Sequence, residues 1–192
     1  MSTTDPRSIR ISSNLLPADG RFGCGPSKVR PEQMAALAAA GPALMGTSHR
    51  QAPIKNLVGS VRSGLSQLFG LPDDWEIVLG NGGSTVFWDV ATFGLVESHS
   101  QHLVFGEFSS KFAKVALNAP HLESPSVIEC ETGSVPPLLR PDSSIDTCAF
   151  PQNETSTGVA CPVIRPPGDS LVLVDATSAA GGVRFDANAT DV

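Results

Sequence analysis

Apolar positions recur at helical spacing over residues 53–69, where Ile54, Leu57, Val58, Val61, Leu65, Leu68 and Phe69 fall on one face. That stripe predicts an amphipathic helix packed against something large. Residues 31–40 predict a shorter helix, with proline in its first turn and Gly41 closing it. Downstream the pattern changes. Short apolar runs at 76–79, 102–105, 126–129, 147–150 and 171–174 read as strands, and helical patterns at 85–96 and 108–118 follow the first two. This alternation predicts an α/β layer with a largely parallel sheet. Pro136-Pro137 and Pro166-Pro167 mark surface loops, and no internal repeat or low-complexity tract interrupts the pattern. The reading is a polar arm at 1–20 followed by one domain at 21–192.

In such sheets ligands sit beyond the carboxyl ends of the strands, so the chemistry belongs to the loops at 80–85, 106–108, 152–157 and 175–178. The first, Gly80-Asn81-Gly82-Gly83-Ser84-Thr85, breaks an apolar run into glycines and then into a helix start. Free backbone N–H groups and two hydroxyls then point at one spot suited to a phosphate. No lysine follows the glycines, and Thr85 stands where a dinucleotide fingerprint needs its last glycine. The anion expected here is a cofactor monophosphate rather than ATP or NAD; a tight turn with a serine cap is the ordinary alternative.

Asp175 ends the most apolar run in the chain, Leu171-Val172-Leu173-Val174. Such a carboxylate stays ionised only beside a cation or several donors, and a pyridinium N–H is a natural partner; local capping of the next turn is the alternative. Phe108 can lie flat on a planar ring or simply join the core. Asn153-Glu154-Thr155 offers donors to a phenolic oxygen or phosphate, or else forms an ordinary turn. A phosphate cradle, a stacking ring, a hydroxyl and a strand-end carboxylate are together what a pyridoxal-phosphate pocket requires. Separately, Arg50 beside His49 provides a fork for a carboxylate or phosphate, the alternative being an exposed loop pair. The Gly/Pro turn Phe22-Gly23-Cys24-Gly25-Pro26-Ser27 is expected to border the same site.

Composition narrows the classes. With 192 residues, 41% of them hydrophobic, the chain can bury a real core. A formal charge of −6 with 13 Lys and Arg provides no broad basic field for nucleic acid or an anionic membrane. No signal-peptide or membrane-span pattern occurs, so a cytoplasmic protein is expected. Cys24, Cys130, Cys148 and Cys161 form no C-x-x-C pair and the four histidines show no ligand spacing, so no metal site is expected and the cysteines read as reduced and mostly buried.

The pieces FGCGPSKV, GTSHRQAPIKNLV, LGNGGSTVFWD, FGEFSSKFA, NETSTGVA and LVLVDATSAAGG resemble the phosphoserine aminotransferase family, in family order across nearly the whole chain. That family belongs to the class V pyridoxal-phosphate enzymes, and GTSHRQAPIKNLV and NETSTG are closest to its actinobacterial branch. The resemblance implies a fold-type I large domain, three-layered α/β/α with a mainly parallel sheet. It implies Ser84 and Thr85 on the cofactor phosphate, Phe108 on the pyridine ring, Thr155 hydrogen-bonded to the cofactor, Asp175 on the ring nitrogen, and Arg50 and His49 on the substrate. The reaction implied moves an amino group between L-glutamate and 3-phosphohydroxypyruvate, giving O-phospho-L-serine for serine biosynthesis. A cytoplasmic homodimer at full length and a link to pyridoxine biosynthesis are implied with it.

The family's Schiff-base lysine lies in a Gln-Lys pair after the strand that follows Asp175, and Lys28, Lys55, Lys111 and Lys114 all precede Asp175 without matching that motif. The expectation is therefore a large domain incomplete on its C-terminal side, with the catalytic lysine beyond Val192 and no activity of this chain alone. The alternatives are another class V pyridoxal-phosphate enzyme, such as an alanine-glyoxylate aminotransferase or a cysteine desulfurase, and a non-catalytic module that binds a small anion or a partner.

Overall fold

The computed structural model describes residues 8–16, 28–184 and 186–192, so the turn containing Phe22 and Ser27 lies outside the described residues. Backbone proximity divides the chain into Met1–Gly59 and Ser60–Val192. In the first unit, α1 (Pro31–Leu44) begins where the Arg30 backbone N–H donates to Gln33 Oε1 at 2.9 Å and Pro31 occupies a position that needs no donor. The helix runs one turn past the predicted stop at Gly41. Pro42 forfeits only its own hydrogen bond, and the Gly41 carbonyl accepts from Met45 N at 2.8 Å.

The apolar stripe locates α2 (Ala52–Phe69) to within one residue. Its expected burial is not found: Leu57, Val58, Val61 and Leu68 are exposed. Periodicity identifies the face that water disfavours, but the surface that would cover that face is a separate matter.

The second unit continues with α3 (Ser84–Gly94), β1 (Ser100–Val104), α4 (Glu107–Leu117), β2 (Ser126–Glu129), β3 (Thr147–Pro151), β4 (Asn153–Glu154), β5 (Val159–Ala160) and β6 (Leu171–Asp175). Four parallel strands lie in the order β2-β1-β3-β6, while β4 and β5 form a separate antiparallel pair. In this register Thr147 pairs with both Ser100 and Leu171, and Pro151 pairs with Asp175. The strands therefore end on one side.

One predicted strand is absent from the sheet. Residues 76–79 make no ladder, and a cavity of about 240 Å³ is lined by Ile77 and Val78 together with Val174, Ala176 and Val192. Val192 instead meets the open edge of β6, donating from N to Val172 O at 3.3 Å and accepting from Val174 N at 2.8 Å. An apolar run becomes a strand only where a neighbour supplies its hydrogen bonds.

Side chains of the central strands alternate between two faces. Cys148, Phe150, Val172 and Val174 join Leu103, Phe105, Leu139, Ile145 and Cys161 in one cluster. Ala149 and Leu173 meet Trp88, Ala91 and Phe112 from α3 and α4 in the other. Burial pushes the Cys148 thiol up to about 11 and the Cys161 thiol up to about 12, so both behave as small apolar side chains.

At the opposite end of the strands, Asp146 accepts from Ser98 N and His99 N, each at 2.7 Å, and from Thr147 Oγ1 at 2.7 Å. Burial works against its charge, but these bonds outweigh burial and hold the carboxyl below its ordinary value. The turn from β1 into α4 is fixed by a second acid. Glu154, fully buried, accepts from Ser109 N at 2.8 Å, Ser109 Oγ at 2.8 Å, Phe108 N at 3.2 Å and Ser156 Oγ at 2.7 Å. Its burial is likewise outweighed by its donors, first the Ser109 N–H, and its carboxyl lies below the usual range.

Gly106 makes this approach possible. A Cβ there would stand 2.7 Å from Ser156 Oγ and closer still to Cγ and Cδ of Glu154. Because hydrogen bonds pin Glu154, Gly106→Ala is expected to cost about 1–3 kcal/mol in urea unfolding. Gly64→Ala, at a helical position with nothing within 4 Å, is expected to be neutral or slightly stabilising in the same measurement.

His102 supplies a pH signature. It lies between Ser100 Oγ, 3.1 Å from Nε2, and the Phe112 ring, which it meets edge-on at 5.2 Å, and burial lowers its pKa to about 4. The unfolded chain takes up a proton near pH 6.5 that the folded chain refuses until about 4. Stability is therefore expected to fall as pH drops from 6.5 to 4, and His102→Gln should flatten that part of the melting-temperature profile.

Candidate coenzyme site

The loop after β6 meets the N-terminus of α3 through Thr177, the loop after β3 meets the β6 loop through Ser178, and the loop after β1 is tied to the loop after β3 through Glu154. Gly82, with φ of 115°, makes the turn into that helix, and a side chain there would strike Val86. Gly83 is the N-cap, and its carbonyl accepts from Val86 N at 3.0 Å and Phe87 N at 3.3 Å. The first N–H groups of α3 thus have no partner within the helix, and the helix dipole favours an anion in front of them. Ser84 Oγ donates to Thr177 Oγ1 at 2.8 Å, and Thr85 is exposed beside it.

Thr177 stands two residues after Asp175. Asp175 is 6% exposed, with Oδ1 accepting from Thr177 N at 2.9 Å and Oδ2 accepting from the Trp88 indole Nε1 at 2.8 Å. Local capping of the next turn and a long-range donor therefore coexist at this residue. Ser84 and Trp88 lie one turn apart on α3, roughly 6 Å along the axis. One helix face and one strand end thus carry both an anion-binding terminus and a buried carboxylate.

Thr155 and Asn153 reach the same loop. Thr155 Oγ1 donates to Ser178 Oγ at 2.8 Å, and Asn153 Nδ2 donates to Ser178 Oγ at 2.9 Å. Their turn also closes locally, with Gly158 N donating to Glu154 O at 2.8 Å. Phe108 opens the first turn of α4 with its ring partly exposed, and Lys111 Nζ lies 5.3 Å from the ring centre. Glu154 holds the backbone that carries this ring, so a residue read as a possible cofactor donor instead spends its oxygens on the β1–α4 turn.

Ser84, Thr85, Phe108, Thr155 and Asp175 all belong to the second unit. His49 and Arg50 belong to the first, exposed in the turn between α1 and α2, where Arg50 N donates to Ser48 Oγ at 3.3 Å. Trp88 was not anticipated. Its signal was an indole one helical turn after Ser84 in an otherwise apolar stretch, a donor that needs an acceptor when buried. The hydroxyls of Thr177 and Ser178 bridge loops as well, meeting Ser84 from α3 and Asn153 and Thr155 from the β4 turn.

The donor set fits a planar ring with an anionic arm and a protonated heteroatom. Among the described residues no group of His, Cys, Asp and Glu is placed to hold a metal, and no described helix is long and apolar enough to cross a membrane.

No protein-family profile matches the chain. Among curated proteins it is 59% identical over 188 residues to a phosphoserine aminotransferase of Nocardioides sp., covering 96% of this chain and 50% of the relative. It is 55% identical over 184 residues to that of Rhodococcus opacus, covering 95% and 49%. Among solved structures, a phosphoserine aminotransferase from Cytophaga hutchinsonii superposes with a TM-score of 0.76 at 26% identity, covering 87% of this chain and 48% of that one. A pyridoxal-phosphate-bound phosphoserine aminotransferase from Trichomonas vaginalis shares the fold, with a TM-score of 0.67 at 17% identity over 81% of this chain and 47% of that one. The chain spans about half the length of the curated relatives it matches. Over about 95% of its length the chain is thus similar in sequence to the N-terminal half of curated phosphoserine aminotransferases.

Proposed function

We propose that this chain forms the coenzyme-binding part of a pyridoxal-phosphate-dependent phosphoserine aminotransferase. The reaction is amino transfer between L-glutamate and 3-phosphohydroxypyruvate, giving O-phospho-L-serine for serine biosynthesis, in a cytoplasmic homodimer that also serves pyridoxine biosynthesis. One observation carries the reading: Ser84 bonded to Thr177, and Trp88 bonded to Asp175, put an anion-binding helix terminus and a buried carboxylate in one loop cluster. The exposed apolar stripe of α2 calls for a covering surface, and in this reading a second subunit supplies it.

In this reading the α3 amides with the Ser84 and Thr85 hydroxyls bind the phosphate. Phe108 would pack on the ring and Thr155 would hydrogen-bond its substituents. Asp175 would accept a hydrogen bond from the protonated ring nitrogen and so favour its charged form. When bound, the coenzyme supplies an electron sink for bond breaking at the substrate α-carbon. Arg50, with His49, receives an anionic group of the substrate through a planar fork. Proton transfer at the substrate is assigned to none of Lys28, Lys55, Lys111 or Lys114.

Titration of the chain with pyridoxal phosphate, read by tryptophan fluorescence and by co-elution in gel filtration, tests this. Saturable binding is expected, with unphosphorylated pyridoxal much weaker. Replacing Ser84 and Thr85 together by Ala and Val should narrow that difference by about tenfold or more, as should be found when charge-assisted hydrogen bonds are removed. Equal binding of the two compounds by the unaltered chain would refute the phosphate assignment.

A further inference from the structure

Asp175 does not stand alone at the end of β6. Its Oδ2 accepts from the Trp88 indole at 2.8 Å and its Oδ1 accepts from Thr177 N at 2.9 Å, so the two oxygens are held from different elements. The indole itself has little freedom. Trp88 is 4% exposed and stacks on Phe112 with centroids 5.8 Å apart and planes 18° apart. Phe112 is gripped in turn by the edge of His102 at 5.2 Å and by Phe87 at 6.0 Å. An indole has one donor and no acceptor, so its direction is set by the stack rather than by exchange with water.

We propose that Trp88 is a positioning residue for Asp175: its indole N–H fixes the carboxylate plane, so that an oxygen lone pair faces a protonated ring nitrogen. The inference rests on the coenzyme reading above but assigns a role to a residue outside the cofactor contacts. A carboxylate able to rotate would meet the ring nitrogen in several orientations and lose part of the bond in each. Two donors from α3 and from the β6 loop remove that freedom before any ligand arrives. They leave each oxygen one further lone pair, which is what an incoming N–H requires.

The test compares two ligands on the purified chain: pyridoxal phosphate, and its analogue with C–H in place of the ring nitrogen. The unaltered chain is expected to favour the nitrogen compound. Trp88→Phe, which keeps an aromatic on Phe112 and deletes the donor, should cut that preference by about tenfold and leave affinity for the analogue unchanged. Should Trp88→Phe melt prematurely, benzothienylalanine at position 88, isosteric and without N–H, gives the same readout. An equal loss for both ligands, or no loss, overturns the positioning role. Asp175→Asn separates the two levels: it should abolish the preference by itself and make Trp88→Phe silent in the double variant. If Asp175→Asn leaves the preference intact, or the unaltered chain shows none, the coenzyme reading of Asp175 falls and this proposal falls with it.

Discussion

Burying a carboxylate is costly unless donors converge on it, and this fold sets three of them at the ends of its parallel strands. Asp146 lies at the amino ends, and Glu154 and Asp175 lie at the carboxyl ends. Each is met by backbone N–H groups or side chains from elements distant in sequence: residues 97–99 for Asp146, the start of α4 for Glu154, and Trp88 for Asp175. The loops lie where they do because these charges must be satisfied. Their convergence is thus a condition of stability as well as the basis of a binding site.

The two acids at the carboxyl ends divide the labour. Glu154 is spent on architecture, since its bonds to Phe108, Ser109 and Ser156 tie the β1–α4 turn to the β4–β5 hairpin. Gly106 is the steric condition for that clasp. Asp175 keeps acceptor capacity in reserve, because its two bonded donors use only half of its lone pairs. One acid is spent on the wall, and the other keeps lone pairs free for a further donor. Rigid support of this kind, with aromatic packing behind Trp88, is what preorganised sites require.

Much of this arrangement was legible in the residue pattern. The change after residue 70 to short apolar runs alternating with helical patterns marked the α/β layer, and β2 (Ser126–Glu129) has the bounds its apolar run suggested. The loops after β1, β3 and β6 were legible as a group, because parallel strands must end on one side. The run at 76–79 misled because it carries strand composition without a ladder neighbour. Gly41 misled in the opposite direction, since the helix continues past it to Leu44 and Pro42 near that end removes one bond and not the helix.

Local chemistry, then, determined by itself most of the helices and strands, which loops hold Gly, Ser and Asp, and which family's motifs the chain carries. Those properties depend on neighbours a few residues apart, and sequence displays such neighbours directly. Only the folded chain decided that Trp88 meets Asp175, 87 positions away, and that Glu154 turns back to α4, 45 positions away. Such pairings follow from strand order, register and the need to satisfy buried charge, and no local pattern encodes them.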